Sequence, residues 1–259
     1  MQLDFESKYA FYSSKTTGIL TLSIAKVREN INLSPVYSDN INSFAVRAAF
    51  LSWGYLVRKA ISSYLDIDSS ELNVGFYIVP ATKRAEVFIV ETLENGAGYC
   101  NYLSGKKYKS VPELAIVEPL VEGGEIYNLL TSKGHEEGCT SSCYDCIRDY
   151  SNQSVHQLLD WRLGLDIARL AKDSRAKIDF SVSYWHSFVF CTIQNMLNKN
   201  GYKTKVAEGT IIGEDPYKEQ FMLIHPLWSE SYVNRLINRL NGTFKPISVF
   251  GLSSINGGI

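Results

Sequence analysis

The chain has 259 residues, of which 45% are hydrophobic and 20% charged, with a formal net charge of −1. That length and apolar content can bury a core in one large or two small domains, which excludes a disordered or supercharged protein. The balanced charge also excludes sequence-blind nucleic-acid binding by the whole surface, so any such contact must be local or made through a partner.

The first twenty residues read as extended and polar, with no apolar run of signal-peptide length. No stretch approaches the ~20 apolar residues that span a bilayer. Together with five cysteines in an unsignalled chain, this places the protein in a cytoplasm, with reduced thiols and no membrane partner.

In chain order, Gly18–Ile24 alternates like a strand. Asn42 or Ser43 caps a helix running to about Tyr64, with Phe44, Ala48, Leu51, Tyr55, Val57 and Ile61 roughly on one face. Leu72–Val79 and Ala85–Val90 read as strands, the second central because Val87, Phe88, Ile89 and Val90 are all apolar. The turn Asn95-Gly96-Ala97-Gly98 follows, either as a phosphate cradle or as a tight turn packed under the sheet. A helix is expected from about Pro112, a break at Gly123-Gly124, a short helix to Leu130, and a long helix over Val155–Ala171. The last third suggests a helix over Trp185–Asn198, strands near Tyr202–Ala207 and Phe221–Ile224, a helix near Glu230–Leu240, and a strand near Ile247–Phe250.

The fold class expected is α/β (α+β): a mixed sheet flanked by helices with an inserted zinc knuckle, then a small C-terminal α/β unit. The boundary falls in the charged stretch near Lys172–Lys177, giving residues 1–172 and 173–259.

The densest chemistry lies in Cys139-Thr140-Ser141-Ser142-Cys143-Tyr144-Asp145-Cys146. Two thiolates at CxxC spacing fit one tetrahedral ion, and Cys139 adds a third sulfur across small residues that let the loop curl. A redox pair would not need Cys139. His135 is the nearest group able to complete the shell, with Cys100 as the alternative and His156 as a further rival. Four protein ligands leave no open position, so one Zn²⁺ would be structural.

Other groups have weaker claims. The run Lys106-Lys107-Tyr108-Lys109 is the best local phosphate-binding candidate, and Arg148 and Arg162, beside Tyr150 and Trp161, could meet unpaired bases. His156 and Asp160 share a face at i,i+4 if the helix is continuous. Glu208, Glu214, Asp215 and Lys218 lie between two predicted strands, loosely the setting of a metal-dependent nuclease, although Glu214-Asp215-Pro216 reads as a turn. No GxxxxGK[ST], GxSxG or HExxH motif is present, and no residue is a candidate for catalysis on motif grounds.

Four segments in this order resemble one module: Glu94-Asn95-Gly96-Ala97-Gly98-Tyr99, the three spaced cysteines, Arg148-Asp149-Tyr150-Ser151-Asn152-Gln153, and His156-(x3)-Asp160-Trp161-Arg162-Leu163. It is the C-terminal zinc-binding domain of MrfA-type helicases, more closely the version in the DrmB protein of the DISARM phage-defence system. The resemblance covers about Thr16–Leu170 and, more loosely, the rest, including Ile224-His225-Pro226-Leu227-Trp228. That family's site uses four cysteines. The remaining one would fall near Glu137, which favours His135 as its substitute.

The resemblance implies a non-motor module of a helicase-like DNA-processing or defence complex, a fragment or subunit lacking the motor lobes. Its expected partners are a motor subunit and DNA, single-stranded or duplex. The alternatives are a metal-dependent nuclease built on the C-terminal unit and a pure protein-binding adaptor.

Overall fold

The computed structural model describes residues 16–250 and Leu252. The extended polar stretch expected at the start lies outside the described residues up to position 15. Strands β1 (Ile19–Ser23), β2 (Leu72–Val79) and β3 (Arg84–Glu91) form an antiparallel sheet in the order β1-β3-β2. The apolar β3 is central, as its composition indicated, and alternates buried and half-buried positions.

Helix α1 (Ser43–Leu65) lies across this sheet. It contacts β2 and β3 on one side and α5 (Trp161–Lys172) on the other. Two glycines set these distances. A Cβ on Gly54 would lie 2.7 Å from both Val74 and Val87, and one on Gly164 would lie 3.1 Å from the backbone of Trp53. Side-chain-free contacts of this kind bring α1 close to both neighbours.

After β3 come a short helix α2 (Tyr99–Leu103), irregular helical turns over Glu113–Val117 and Glu118–Leu120, α3 (Glu125–Leu130) and α4 (Lys133–Gly138). The break at Gly123-Gly124 falls where expected, whereas α2 and α4 carry no helix signal of sufficient length. The continuous helix expected over Val155–Ala171 is instead two elements. A tight-turned segment, Tyr150–Leu158, ends at Leu159, and α5 starts anew at Trp161. Asp160 caps α5 through its side chain, which accepts from Arg162 N–H at 2.9 Å. Its own N–H donates to Ser52 Oγ of α1 at 2.9 Å, diverting the donor a continuous helix would need. His156 and Asp160 therefore do not share a helix face.

The C-terminal part is helical over Ser183–Lys199, as α6 (Ser183–His186), wider turns over Ser187–Ile193, and α7 (Gln194–Lys199). A four-stranded sheet follows: β4 (Lys203–Ala207), β5 (Thr210–Glu214), β6 (Gln220–Ile224) and β7 (Lys245–Ser248), in the order β4-β5-β6-β7. Only β6 and β7 are parallel, joined through α8 (Glu230–Arg239). Strand β5 went unread because its Gly213-Glu214 end looks like a loop, and β7 starts two residues earlier than expected.

This unit rests on α5 through a fully buried polar cluster. Asp166 accepts from Tyr184 O–H at 2.8 Å, from Trp185 Nε1–H at 2.7 Å, and from His225 Nε2–H at 3.1 Å. His225 Nδ1 accepts from Leu227 N–H at 3.2 Å, which fixes the ring with its proton on Nε2. Among the described residues, no helix is long and apolar enough to cross a membrane.

Candidate metal centre

The site is built where α4 runs into the cysteine loop. Ser132 caps α4, and Cys139 ends it as the chain turns into extended backbone. The loop then closes tightly. The Cys143 carbonyl accepts from the N–H groups of Cys146, Ile147 and Arg148, and Cys143 N–H points at Cys146 Sγ at 3.0 Å. Backbone thus folds Cys143 and Cys146 onto one point, and α4 delivers Cys139 and His135 to the same point.

The donors of His135, Cys139, Cys143 and Cys146 all lie within 4.8 Å of one another. Two sulfurs held about 2.3 Å from one tetrahedral ion are about 3.8 Å apart. The observed separations are 3.5 Å for Cys143–Cys146 and 3.9 Å for Cys139–Cys146, and His135 Nε2 lies 3.6 Å from Cys143 Sγ. His135 Nδ1–H donates to the Leu130 carbonyl at 2.8 Å, which turns the Nε2 lone pair toward the sulfurs. A metal-bound imidazole is held in the same way, with its second nitrogen tied to a backbone oxygen. The residues present fit a closed, four-coordinate ion.

The electrostatics fit as well. Hydrogen bonding from Cys139, with further help from His135, pulls the Cys146 thiol down to about 4, while the Cys139 thiol is pushed up by its bond to Cys146 and by burial. His135 is raised despite its burial, because the Cys146 sulfur and the Leu130 carbonyl both favour the charged ring. Three thiolates around a divalent ion leave a net negative centre, and Arg162 supplies the compensating charge. Its guanidinium is lowered by burial and supported by Asp160 and by the sulfurs of Cys139 and Cys146.

Arg162 is 3% exposed, sandwiched between Trp161 and Phe188 at 4.5 and 4.1 Å, and donates to the Thr140 carbonyl at 2.6 Å. A guanidinium so enclosed holds the knuckle and has no surface with which to meet a nucleic acid, which corrects the expectation from sequence. Trp161 is likewise buried, its ring edge-on to His135 at 5.3 Å, and Tyr150 is left exposed.

Several further bonds tie the loop to the body. Trp161 N–H donates to Ser141 O, Lys59 Nζ to Asp145 O at 2.7 Å, and Asn152 Nδ2 to Ile147 O at 2.8 Å. Arg58 pairs with Asp149. Arg148 is half-buried, with Nε on Ser142 Oγ at 2.8 Å. His156 turns away from the sulfurs, with Nε2 between Asn152 Oδ1 and the Asp149 carbonyl.

Cys100 is not part of the cluster. It is 1% exposed under the first sheet, with its sulfur on the Ile89 carbonyl at 3.5 Å and its thiol pushed up to about 11 by burial. The adjacent glycine turn is filled from within. Glu91 Oε2 accepts from Gly98 N–H and Oε1 from Cys100 N–H, and a Cβ on Gly96 would lie 2.2 Å from Glu91 Oε2. The carboxylate occupies the place a phosphate would take, so the tight-turn alternative describes this segment. Replacing His135 by Ala should lower zinc from one per chain to well below one-half, whereas Cys100→Ser should leave it at one. Metal analysis of both purified variants checks this, and full zinc in the His135 variant would move the fourth ligand elsewhere.

The acidic residues of the C-terminal unit do not converge. Glu208 sits in the β4–β5 turn beside Arg239, and Asp215 accepts from Tyr217 and Glu219 N–H within the β5–β6 turn. The five residues of β5 separate them by about 17 Å at strand rise. Among the described residues, the His135–Cys146 cluster is the one group of three or more metal-binding side chains that come together. Lys106, Lys107 and Lys109 lie in an exposed loop after α2, Lys107 over the Tyr108 ring.

Comparison with known proteins agrees with this geometry. Residues 53–147 match the MrfA Zn-binding domain family, a span that includes all four donors. The chain is also similar to the Druantia protein DruE of Escherichia coli (strain UMEA 4076-1), 29% identical over 147 residues. That alignment covers 53% of this chain and 7% of DruE, so the chain spans a small part of that protein's length. The relative found is thus a Druantia protein, where the motifs had suggested DrmB of DISARM. No solved structure matches the chain. His135, Cys139, Cys143 and Cys146 form a single structural zinc site.

Proposed function

We propose that this chain is a non-motor, zinc-braced module of a helicase-like DNA-processing complex used in anti-phage defence, where it contacts DNA and docks a motor subunit. The observation that carries the reading is the closed donor set inside the span matching the MrfA Zn-binding domain. A fourth protein ligand leaves no position for an activated water, so the ion braces the fold. Among the described residues, 16–172 form the zinc-braced part and 173–250 form a unit docked against α5. The resemblance of the motifs to the zinc-binding domain of MrfA-type helicases, with residues 53–147 matching that family, supports the helicase-like context. The exposed lysines Lys106, Lys107 and Lys109, with Arg148 beside the knuckle, are candidates for the DNA contact.

The test combines binding and cleavage. Labelled single-stranded and duplex DNA is incubated with the chain and Mg²⁺, and both retention and fragment length are followed. Salt-sensitive binding without cleavage is expected. Mg²⁺-dependent cleavage that Asp215→Asn abolishes would replace this reading with the nuclease. Absence of any DNA binding would replace it with the protein-binding adaptor.

A further inference from the structure

The four cysteine-cluster residues lie at the N-terminal end of α5; a concentration of positive charge lies beyond its other end, about 18 Å away at helical rise. There a cavity of about 610 Å³ is lined by Lys26, Arg28, Arg175 and Arg235, with Glu29 as its one carboxylate. Four cations against one anion stand out in a chain whose formal net charge is −1. All four cationic residues are exposed. Among the described residues, Lys26, Arg28 and Arg235 form no salt bridge, and Arg175 meets Asp173 at 3.7 Å. None of these positions carried a motif.

The backbone that presents these charges is fixed. Ser229 N–H donates to the Asn30 carbonyl at 2.9 Å and Ser229 Oγ to the Glu29 carbonyl at 2.8 Å, which staples the segment bearing Arg28 to the start of the helix bearing Arg235. Asn32 N–H donates to the Leu227 carbonyl in the same way. The loop bearing Arg175 is held by Arg169 Nη2–H on the Lys177 carbonyl at 3.0 Å and by Arg175 N–H on Asp173 Oδ1. Ring and chain pack there too, with the Arg235 guanidinium over Tyr232 at 5.9 Å.

The cavity is also not isolated. A second one of about 480 Å³ shares Lys26 and Ser174 with it and adds Lys172, and a third of about 260 Å³ shares Lys26 and adds Lys83 and Arg84. Cations therefore recur along a path on both sides of Lys26, with Lys172 held by Glu113, Lys83 held by Asp39, and Arg84 in no salt bridge among the described residues.

We infer that this path is a binding groove for the phosphate backbone of a nucleic-acid strand. A repeating polyanion matches a row of cations along connected cavities better than a compact acidic ligand does. Guanidinium groups grip phosphate oxygens in pairs. Contacts to phosphate fix position without reading sequence, so binding should be indifferent to sequence and steeply dependent on salt. The inference rests on the DNA-contacting part of the proposed function and assigns it a surface at the opposite end of α5 from the zinc, centred on residues other than Lys106, Lys107 and Lys109.

The experiment is fluorescence anisotropy on the full chain with a labelled 20-nucleotide single strand and the matching duplex, across 50–200 mM salt. The triple variant Arg28→Glu, Arg175→Glu, Arg235→Glu should weaken binding at least tenfold and flatten the log–log salt slope by about 2 for a single strand. The arm that binds more tightly identifies which form of nucleic acid the groove takes. Zinc content and melting temperature should match wild type, and the milder Arg28→Gln, Arg235→Gln variant, expected to weaken binding three- to tenfold, serves if the triple variant misfolds. Wild-type affinity in the charge variants, with loss on changing Lys106, Lys107 and Lys109 to Glu, would overturn the groove and leave DNA contact standing. No binding of either DNA by wild type would remove both.

Discussion

Stripping the zinc, or replacing Cys146 by Ser, is expected to lower the melting temperature by on the order of 10 °C, which corresponds to about 3–5 kcal/mol at this chain length. The free energy of binding a structural zinc is largely folding free energy, because no preformed site exists in the unfolded chain. Here the loop from Cys139 to Asp149 buries little besides Cys139, Cys146 and Ile147, so packing alone holds it weakly. Without the ion, three sulfurs and an imidazole remain confined within 4.8 Å, and any thiolates repel.

The consequence spreads through the loop carbonyls. Thr140, Ser141 and Asp145 accept from Arg162, Trp161 and Lys59, so melting the loop releases the start of α5 and leaves the Arg162 guanidinium buried beside fewer partners. An uncompensated buried charge is among the costliest of defects. Thermal denaturation with parallel metal analysis checks this. A zinc-free chain that melts within two degrees of the holo form would show that the ion does not brace the fold.

Replacing Asp166 by Ala should cost about 3–5 kcal/mol, the range for removing one partner of a buried charged network. Asp166 and His225 are both 0% exposed, and Tyr184, Trp185 and His225 each donate to this one carboxylate. Truncation strands three donors in an apolar setting, and each unsatisfied buried donor costs about 1–3 kcal/mol. The loss concerns docking of the C-terminal unit on α5. Hydrogen exchange should therefore speed up in β5 and β6 while zinc content stays at one per chain. Urea denaturation of Asp166→Ala measures the cost. A variant within 0.5 kcal/mol of wild type would mean that apolar packing by Phe180, Trp185 and Trp228 holds the unit unaided.

Much of this architecture was present in local signals. The helix from Ser43, the strands Leu72–Val79 and Arg84–Glu91, and the helix from Glu230 follow from periodicity, although Asn42 before the first helix makes none of the side-chain capping bonds its type suggested. The three cysteines follow from the short reach of a CxxC turn, and His135 is favoured by its nearness, four positions before Cys139. Each of these depends on residues within a few positions of one another.

Where the reading went astray, a distant partner had decided the outcome. The apolar spacing across Val155–Ala171 suits one helix, yet Ser52, over a hundred residues earlier, takes the Asp160 N–H and breaks it. Arg162 looked like a surface cation beside an aromatic, and only the arrival of Phe188 and the Thr140 carbonyl makes it an internal counter-charge. Cys100 was a plausible ligand until the first sheet placed it beneath Ile89, away from the knuckle.

The three cysteines of the zinc centre were legible in the sequence, because they lie within eight residues of one another, whereas His135 was set apart from Cys100 and His156 only by the fold. The tertiary structure also decided what surrounds the centre. The pairing of Asp166 with His225 and the gathering of Lys26, Arg28, Arg175 and Arg235 join segments tens to hundreds of residues apart. Local pattern carries no record of such pairings, since they depend on how whole elements pack.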